Sequence, residues 1–342
     1  MTYRTHSQEY EAVRGDGAGI IDLSSRGRIT VGGSEAVMFL NGLITNDMKT
    51  LEPRRWMSAV FPNVQGRMIA AVRVVRLPDE ENNPRFLLDT EAATHDVVLK
   101  TIERFTLAGD FRVLDVSGDT LCVSVQGKQA LAQVRSVFFN DEPPHNGVAQ
   151  SSWKTASVTI LRASHTAEDG VDVIVDRHTG SELVQTFAHA GAVPVDAETF
   201  ETLRIEAGVP RFGKDMDETN VVSETNLDDA VSFTKGCYIG QEIIARIKYR
   251  GHVAKKLTGL TLEGMKAPAA GAVIRSNDGK DIGRVTSATL SPKLDSAIAL
   301  GYVRYEYLAT GSQVVIGAEG LAAQVTDLPF VRGSWYKMSD EL

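Results

Sequence analysis

The chain has 342 residues, of which 43% are hydrophobic and 23% are charged, and its formal net charge is −8 at pH 7. This length and composition are typical of a globular protein with more than one hydrophobic core. The acidic excess argues against nonspecific binding to nucleic acid or to an anionic membrane, because both surfaces are negatively charged.

The first 105 residues predict a mixed α/β region. Residues 19–33 alternate apolar and polar side chains around a turn, which indicates a pair of strands, and Ser34 is expected to cap the helix that follows. Residues 58–77 predict a β-hairpin, and the apolar spacing over residues 91–105 predicts a second helix.

The middle of the chain also alternates between strands and helices. Four short runs predict strands, and they are FRVLDVS, TLCVSVQG, SVTILRAS and VDVIVD. Helices are predicted over residues 181–190 and 197–207. Asp196 is expected to begin the second of these helices, and Gly208 is expected to end it.

Beyond Gly251 the sequence changes to short β-type runs separated by turns, such as Asn277-Asp278-Gly279. This pattern predicts a small closed or sandwiched β domain.

Cysteine usage and hydropathy indicate the compartment. Cys122 and Cys237 are the two cysteines, so the chain has no disulfide framework and we predict a reducing compartment, by default the cytoplasm. The start of the chain lacks the apolar core of a signal peptide, and no stretch reaches about 18 apolar residues. We therefore predict no association with membranes.

The segment FTKGCYIGQE, residues 233–242, places Cys237 ahead of an apolar helical run. The positive end of that helix and the ammonium of Lys235 both favour a thiolate, which is typical of a reactive cysteine. An equal alternative is that Cys237 fills a small apolar gap. Cys122 lies within an apolar strand and is predicted to be a core residue.

A metal site held by this chain alone is not expected. Structural zinc and iron-sulfur clusters need about four Cys or His ligands. The seven histidines show no paired spacing with one another or with Cys237. Any cluster chemistry would therefore need ligands from a partner.

Glu206 occupies the last turn of a predicted helix, where the helix dipole disfavours a carboxylate. A fixed carboxylate can accept two parallel hydrogen bonds from the amino-pyrimidinone edge of a pterin. A salt bridge to Arg204 or Arg211 is the alternative that the local sequence favours.

Five stretches together carry a resemblance to a known family. They are residues 20–48, 165–175, 201–219, 235–242 and 325–330. The chain resembles the folate-binding superfamily of the glycine cleavage T-protein and, within it, the YgfZ family linked to iron-sulfur cluster assembly. The YgfZ signature falls on Lys235, Gly236, Cys237, Tyr238, Gly240, Gln241 and Glu242.

The resemblance implies an α+β fold, a three-lobed ring of two mixed α/β lobes and a small C-terminal β-barrel. The folate-binding region is expected over residues 1–250, with lobes of about 1–110 and 111–250, and the barrel over residues 251–342. Tetrahydrofolate is the implied cofactor, and Glu206 is expected to face its pterin.

Two positions depart from the T-protein pattern. T-proteins carry a catalytic aspartate on a strand that matches QGRMIAAVRVVR here, where Ala70 and Ala71 occupy the corresponding positions. Loss of a proton-handling carboxylate is expected to abolish the T-protein reaction, since such groups commonly contribute factors of about 10² to 10⁴. His165 replaces a tyrosine that is frequent in the family's glycine-rich loop.

These departures lead us to predict a tetrahydrofolate-binding accessory protein for iron-sulfur cluster assembly or repair, more an assembly factor than a classical enzyme. Cys237 and Lys235 are the predicted catalytic residues, and folate and iron-sulfur assembly proteins or client enzymes are the predicted partners. The alternative is an aminomethyltransferase that transfers a one-carbon unit to tetrahydrofolate. A demethylase of methylated amines is a third possibility, which the lack of a dinucleotide fingerprint disfavours.

Overall fold

Most of the chain folds into three β-sheets with helices packed against them. The computed structural model describes residues 6–138 and 143–336. The helices of the described residues are α1 (His6–Arg14), α2 (Ala36–Leu43), α3 (His95–Glu103), α4 (Ala130–Phe138), α5 (Arg177–His189), α6 (Ala197–Glu206) and α7 (Gln241–Arg250).

The strands are β1 (Gly19–Asp22), β2 (Gly27–Gly32), β3 (Trp56–Pro62), β4 (Met68–Glu80), β5 (Asn83–Thr90), β6 (Arg112–Asp115), β7 (Thr120–Gln126), β8 (Val148–Trp153), β9 (Ala156–Arg162), β10 (Gly170–Asp176), β11 (Val193–Val195), β12 (Lys255–Leu262), β13 (Val273–Ser276), β14 (Asp281–Ser291), β15 (Ser296–Arg304), β16 (Gln313–Ile316) and β17 (Leu321–Thr326).

The first sheet has the order β3-β4-β5-β2-β6, and all of its neighbours are antiparallel. The hairpin predicted over residues 58–77 is confirmed by the pairing of β3 with β4. Helices α2 and α3 contribute to the apolar core on one face of this sheet, together with Phe61, Phe86 and Phe111.

The predicted cap of α2 was wrong. The hydroxyl of Ser34 donates to Asp110 Oδ2 at 2.9 Å, and its backbone N–H donates to the same oxygen at 2.8 Å. The helix begins after Glu35, which makes no side-chain cap bond. Ser34 therefore ties α2 to the loop before β6, a contact with a distant residue that local sequence does not reveal.

The second sheet has the order β11-β1-β7-β10-β9-β8. Helix α5 begins at Arg177, four residues earlier than predicted, because the Asp176 side chain accepts a bond from the His178 backbone N–H. Helix α6 begins as predicted, with Asp196 accepting from Thr199 N–H.

The third sheet is a closed barrel in the order β12-β15-β14-β13-β16-β17, and β17 pairs back with β12. Of the two predicted forms, closed or sandwiched, the chain adopts the closed one. The predicted fold class, two mixed α/β lobes with a C-terminal β-barrel, is thus confirmed.

The predicted boundary at residue 110 does not separate the strands of the first two sheets. Strand β1 pairs with β7 and β11 in the second sheet, whereas β6 pairs with β2 in the first. The chain therefore passes between the sheets twice, and the lobe limits stay a prediction. No helix of the described residues has the length and apolarity needed to cross a bilayer.

Candidate functional site

A cavity of about 500 Å³ lies between the two mixed sheets, alongside α6 and the segment that follows it. This volume suits a small organic ligand. Its apolar wall includes the rings of Trp56 on β3, Phe200 on α6 and Phe212. Flat aromatic surfaces of this kind favour a flat ligand.

A network of ion pairs with alternating charges lies beside the cavity. Arg26 contacts both Glu91 and Asp89, the latter at 2.7 Å. Arg73 on β4 bridges Asp89 at 2.9 Å and Asp172 on β10 at 2.7 Å. The network therefore joins the two sheets across the wall of the cavity.

His165 is the last member of this charged network and lies in the cavity wall. Its Nε2 lies 3.0 Å from both carboxylate oxygens of Asp172, which is 1% exposed. Burial alone would raise the pKa of Asp172, but its contacts with His165 and Arg73 outweigh burial and hold that pKa well below its usual range. Asp172 is therefore a fixed negative charge behind the imidazole.

Arg204 is a second charged group in the wall, and its side chain is fully buried. Its Nη1 donates to Asp215 at 2.5 Å, and its Nη2 donates to Ser287 Oγ of the barrel at 2.6 Å. Its Nε has no hydrogen-bond partner among the residues that the structure describes. A buried donor without an acceptor is costly, so this atom has unused capacity for a ligand.

Glu206 does not line the cavity. Its carboxylate is fully buried and accepts hydrogen bonds from Tyr10, Arg14 and Ser291, at 2.8, 2.9 and 2.5 Å. A buried ion pair is thus present, as the alternative interpretation of Glu206 held, but with Arg14 instead of Arg204 or Arg211. The contact of Glu206 with a pterin stays a prediction.

Lys235 is buried beside the end of α2. Its Nζ donates to the carbonyl oxygens of Asn41, Ile44 and Asn46, at 2.8, 2.8 and 2.6 Å. Burial lowers the pKa of Lys235 to about 8. The three carbonyls use the donors of the ammonium, so the observed contacts of Lys235 are structural.

Cys237 is exposed and does not line the cavity. The nearby Tyr238 packs into a cluster with Val60 and Phe212, and Gly240 makes a close turn before α7. Gly236, Cys237 and Glu242 are exposed, and Gln241 is half-buried. The reactive role of the Cys237 thiol and the supporting roles of its neighbours stay predictions.

The sequence interpretation missed Arg73, Asp172 and Arg204. A signal was available for the first two, because each is a charged residue within an apolar stretch of its strand, AAVRVV for Arg73 and GVDVIV for Asp172. A charge at such a position is buried and needs a partner. Among the described residues, no group of three or more His, Cys, Asp or Glu side chains could hold a metal ion.

Two domain families match this chain. Residues 2–235 match the GCVT N-terminal domain, and residues 255–332 match the glycine cleavage T-protein C-terminal barrel domain. The two matches cover the two mixed sheets and the barrel.

Curated relatives match over nearly the full length. An aminomethyltransferase from Nostoc sp. is 30% identical over 335 residues, covering 96% of this chain and 88% of the relative. An aminomethyltransferase from Synechocystis sp. is 32% identical over 322 residues, covering 92% of this chain and 84% of the relative.

A solved structure, the glycine cleavage system aminomethyltransferase T from Bartonella henselae, has a TM-score of 0.88 to this chain at 24% identity. The match covers 96% of this chain and 90% of the other. The fold is therefore shared along almost the whole length.

These relatives contradict the predicted main function. The prediction of an accessory protein for iron-sulfur cluster assembly or repair was wrong, because the similar curated proteins from several organisms are named aminomethyltransferases. The prediction gave too much weight to one ten-residue segment and to the pair Ala70 and Ala71. The alternative prediction fits these relatives better.

Proposed function

The chain belongs to the glycine cleavage T-protein family, and on that premise we propose that it is an aminomethyltransferase-like enzyme that transfers a one-carbon unit to tetrahydrofolate. The observation that carries the proposal is the cavity between the mixed sheets, about 500 Å³ in volume with aromatic and charged walls. The second substrate is a protein that presents an aminomethyl group, such as a lipoyl carrier.

The residues of the cavity fit a reduced pterin. Trp56, Phe200 and Phe212 offer flat apolar surface for the ring system. The unpaired Nε–H of Arg204 is a donor suited to a ring carbonyl or ring nitrogen. Tetrahydrofolate would supply the two nitrogens that receive the one-carbon unit, one in its reduced ring and one in the adjoining amine.

The protein's own contribution is placement and exclusion of water. Because Arg73 is bonded to both Asp89 and Asp172, the charged wall is rigid before a ligand binds. A fixed set of charges in a partly enclosed site stabilises developing charge without reorganising. Ala71 gives this wall a methyl group, which leaves room for the ligand.

The finer family assignment remains a proposal. Membership of the YgfZ family is supported by the motif of residues 235–242, and its exposed thiol at Cys237 is available to a partner. The one-carbon transfer proposed here does not use Cys237, because that residue does not line the cavity.

Filling the cavity tests the proposal directly. We expect wild type to release ammonia and methylene-tetrahydrofolate from an aminomethylated carrier, and to bind tetrahydrofolate with a change in Trp56 fluorescence. Ala71→Leu places three extra carbons in the cavity and is expected to weaken binding at least tenfold. Trp56→Phe identifies which of the three tryptophans reports.

The matched control is Ala270→Leu, since Ala270 is exposed in the barrel domain. It is expected to bind like wild type. Tetrahydrofolate affinity that is the same in Ala71→Leu and wild type, with both proteins folded, would place the ligand elsewhere. Absence of carrier-dependent ammonia release by wild type would refute the transferase activity.

A further inference from the structure

We propose that His165 is the residue that exchanges protons with the bound substrate and that Asp172 is its positioning residue. This inference rests on the proposed function, and it answers how a cavity wall with Ala70 and Ala71 can support proton transfer. Four observations carry it.

First, the imidazole is held in one orientation. Nε2 faces both oxygens of Asp172 at 3.0 Å, and the His165 backbone N–H donates to Gln126 Oε1 at 3.0 Å. The ring also packs edge-on against Phe200, with centroids 6.3 Å apart. A carboxylate at Nε2 fixes the tautomer with hydrogen on Nε2, so Nδ1 is the atom with a free lone pair.

Second, Nδ1 is available. It has no hydrogen-bond partner within residues 6–138 and 143–336, and His165 lines the cavity. The same side chain therefore has a fixed donor at one nitrogen and an open acceptor at the other. This is the arrangement of a general base that an acidic residue orients.

Third, the acidic side chains of the cavity are already engaged. Asp22 accepts from Ser24 N–H at 2.8 Å, and Asp196 accepts from Thr199 N–H at 2.7 Å. Glu91 pairs with Arg26 and, at 3.5 Å, with Arg211. Each of these carboxylates thus accepts a hydrogen bond from a backbone N–H or pairs with a guanidinium group.

The basic side chains of the cavity cannot substitute, because guanidinium groups do not lose a proton in proteins. Arg26, Arg73, Arg204 and Arg211 are the basic side chains that line it. An imidazole changes its protonation state near neutral pH and can both accept and return a proton.

Fourth, the imidazolium that would form has a counter-charge in place. Asp172 is buried and ionised, and its second cationic partner is Arg73 Nη1 at 2.7 Å. The charged groups around the imidazole are thus Asp172 on β10 and, behind it, Arg73 on β4, with Asp22 on β1 and Asp196 before α6 in the same cavity wall.

The proton balance of the step is closed. Nδ1 takes the proton from a nucleophilic nitrogen as that nitrogen forms its bond to the transferred carbon. The imidazolium then gives the proton to the amine nitrogen as the bond between that nitrogen and the carbon breaks. This exchange forms one C–N bond, breaks another and releases ammonia. The second folate nitrogen then bonds to the same carbon as the bond between that carbon and the carrier's sulfur breaks, and its proton passes through Nδ1 to the sulfur. In total two C–N bonds form, one C–N and one C–S bond break, and the His165–Asp172 pair returns to its starting state.

The chain contains a matched pair outside the cavity. His95 Nε2 lies 2.9 Å from Asp115 Oδ2, and neither residue lines the cavity. A histidine-aspartate contact of similar length thus exists where no substrate is expected, so His95→Gln is the control for His165→Gln.

The activity experiment compares wild type, His165→Gln and His95→Gln in carrier-dependent ammonia release across pH 5.5–9. We expect His165→Gln to lower kcat by about 100-fold or more, to leave tetrahydrofolate affinity within about threefold, and to remove the acidic limb of the kcat/KM profile. His95→Gln is expected to match wild type. Retention of kcat within threefold in His165→Gln overturns the inference and leaves the proposed function intact.

A second readout does not depend on turnover. Long-range ¹H–¹⁵N NMR of the whole chain, with the His165→Gln spectrum identifying the resonance, is expected to show Nε2 protonated and Nδ1 unprotonated. Addition of tetrahydrofolate is expected to shift Nδ1. An Nδ1–H tautomer, or no Nδ1 shift at saturating ligand, overturns the inference. Wild type that releases no ammonia but shows the expected Nδ1 shift would refute the transferase activity. His165 would still be the residue that exchanges protons with the bound ligand.

Discussion

At the scale of single residues, the cavity wall depends on buried charges that neutralise one another. Asp89 is 4% exposed and accepts from both Arg26 and Arg73. Burial alone would raise the pKa of Asp89, but the two guanidinium groups outweigh it and lower that pKa. The folded state therefore favours the ionised carboxylate more than the unfolded state does.

Asp89→Asn tests this balance. The substitution removes the carboxylate shared by two buried guanidinium groups, which keep only Glu91 and Asp172 as partners. We expect a loss of about 3 kcal/mol in the free energy of unfolding, the lower end for breaking a buried ion pair. Because the folded-state pKa is lowered, the stabilisation from Asp89 is present above its unfolded pKa of about 3.9 and is lost as pH falls below it. Urea denaturation at pH 7, 5 and 3 is expected to show a smaller loss of stability on acidification in the variant.

The control for this variant is Asp281→Asn, whose carboxylate is 69% exposed and pairs with Arg275 at 2.9 Å. Exposed pairs contribute about 0–1 kcal/mol, so little change is expected. Equal effects of the two substitutions would mean that burial of Asp89 does not govern its contribution.

Lys235→Met separates a structural role from a catalytic one. The methionine keeps the apolar stem but leaves three buried carbonyl oxygens near the end of α2 without their donor. We expect a loss of about 1–3 kcal/mol in the free energy of unfolding, measured in urea. Lys256→Met is the control, since half-buried Lys256 lies 3.6 Å from the exposed carboxylate of Asp228. Unchanged stability in Lys235→Met would contradict the structural assignment.

The sequence could predict less at this scale than at any other. The segment of residues 233–242 drew attention to Cys237 and Lys235, but a local pattern cannot show where an ammonium group points. Lys235 contacts carbonyls nearly two hundred positions earlier in the chain. The Arg73–Asp172 pair likewise joins β4 and β10, so each partner looked isolated in sequence.

At the scale of secondary-structure elements, the loop before α7 packs tightly on the turn between β3 and β4. Gly240 has φ +76°, and a Cβ on it would lie 2.4 Å from the carbonyl oxygen of Asn63. Gly66 lies close to the start of α7, because a Cβ on Gly66 would be 3.0 Å from Ile243 Cβ. Glycine is required at Gly240 because both the backbone conformation and the space exclude a side chain.

Gly240→Ala is expected to cost about 2 kcal/mol or more, since a left-handed alanine is strained and its methyl group meets backbone atoms. The start of α7 should be displaced, so thermal denaturation is expected at lower temperature and the Cys237 thiol is expected to react faster with a disulfide reagent.

Gly236→Ala is the control within the same motif. Its φ lies outside the left-handed region, and nothing stands within 4 Å of an added Cβ. It is expected to be neutral or slightly stabilising. A similar loss of stability in both variants would show that the loop, not the close approach of Gly240, is sensitive.

Element type was largely predictable from periodicity, and element ends were predictable where the capping residue is local. Asp196 and Gly208 marked the two ends of α6, because capping bonds span only three or four positions. Ser34 failed as a marker because its hydroxyl bonds Asp110, far along the chain.

At the scale of the whole molecule, a buried ion pair fastens the barrel to α6. Asp215 accepts from Arg204 of α6 at 2.5 Å and from Thr286 and Ser287 of β14 at 2.6 and 2.7 Å. Since Arg204 also lines the cavity, the barrel supports the position of a residue that faces the ligand.

Asp215→Ala removes the acceptor shared by α6 and the barrel. We expect a loss of about 3–5 kcal/mol, because the fully buried Arg204 loses this partner. Calorimetry is expected to show the barrel and the mixed sheets unfolding in separate transitions. Glu319→Ala, at an exposed barrel pair with Lys266, is the control. A single transition at the wild-type temperature in Asp215→Ala would rule out this coupling.

The placement of β1 bears on how the nascent chain acquires its shape. Asp22 is opposite Val123 and Ile21 is opposite Val195, so this strand emerges from the ribosome roughly one hundred residues before its first neighbour and still longer before its second. Its apolar side chains therefore lack both neighbouring strands while the sheet that contains β2 is synthesised. We therefore expect chaperones that bind short apolar stretches to recognise residues 19–22 during synthesis.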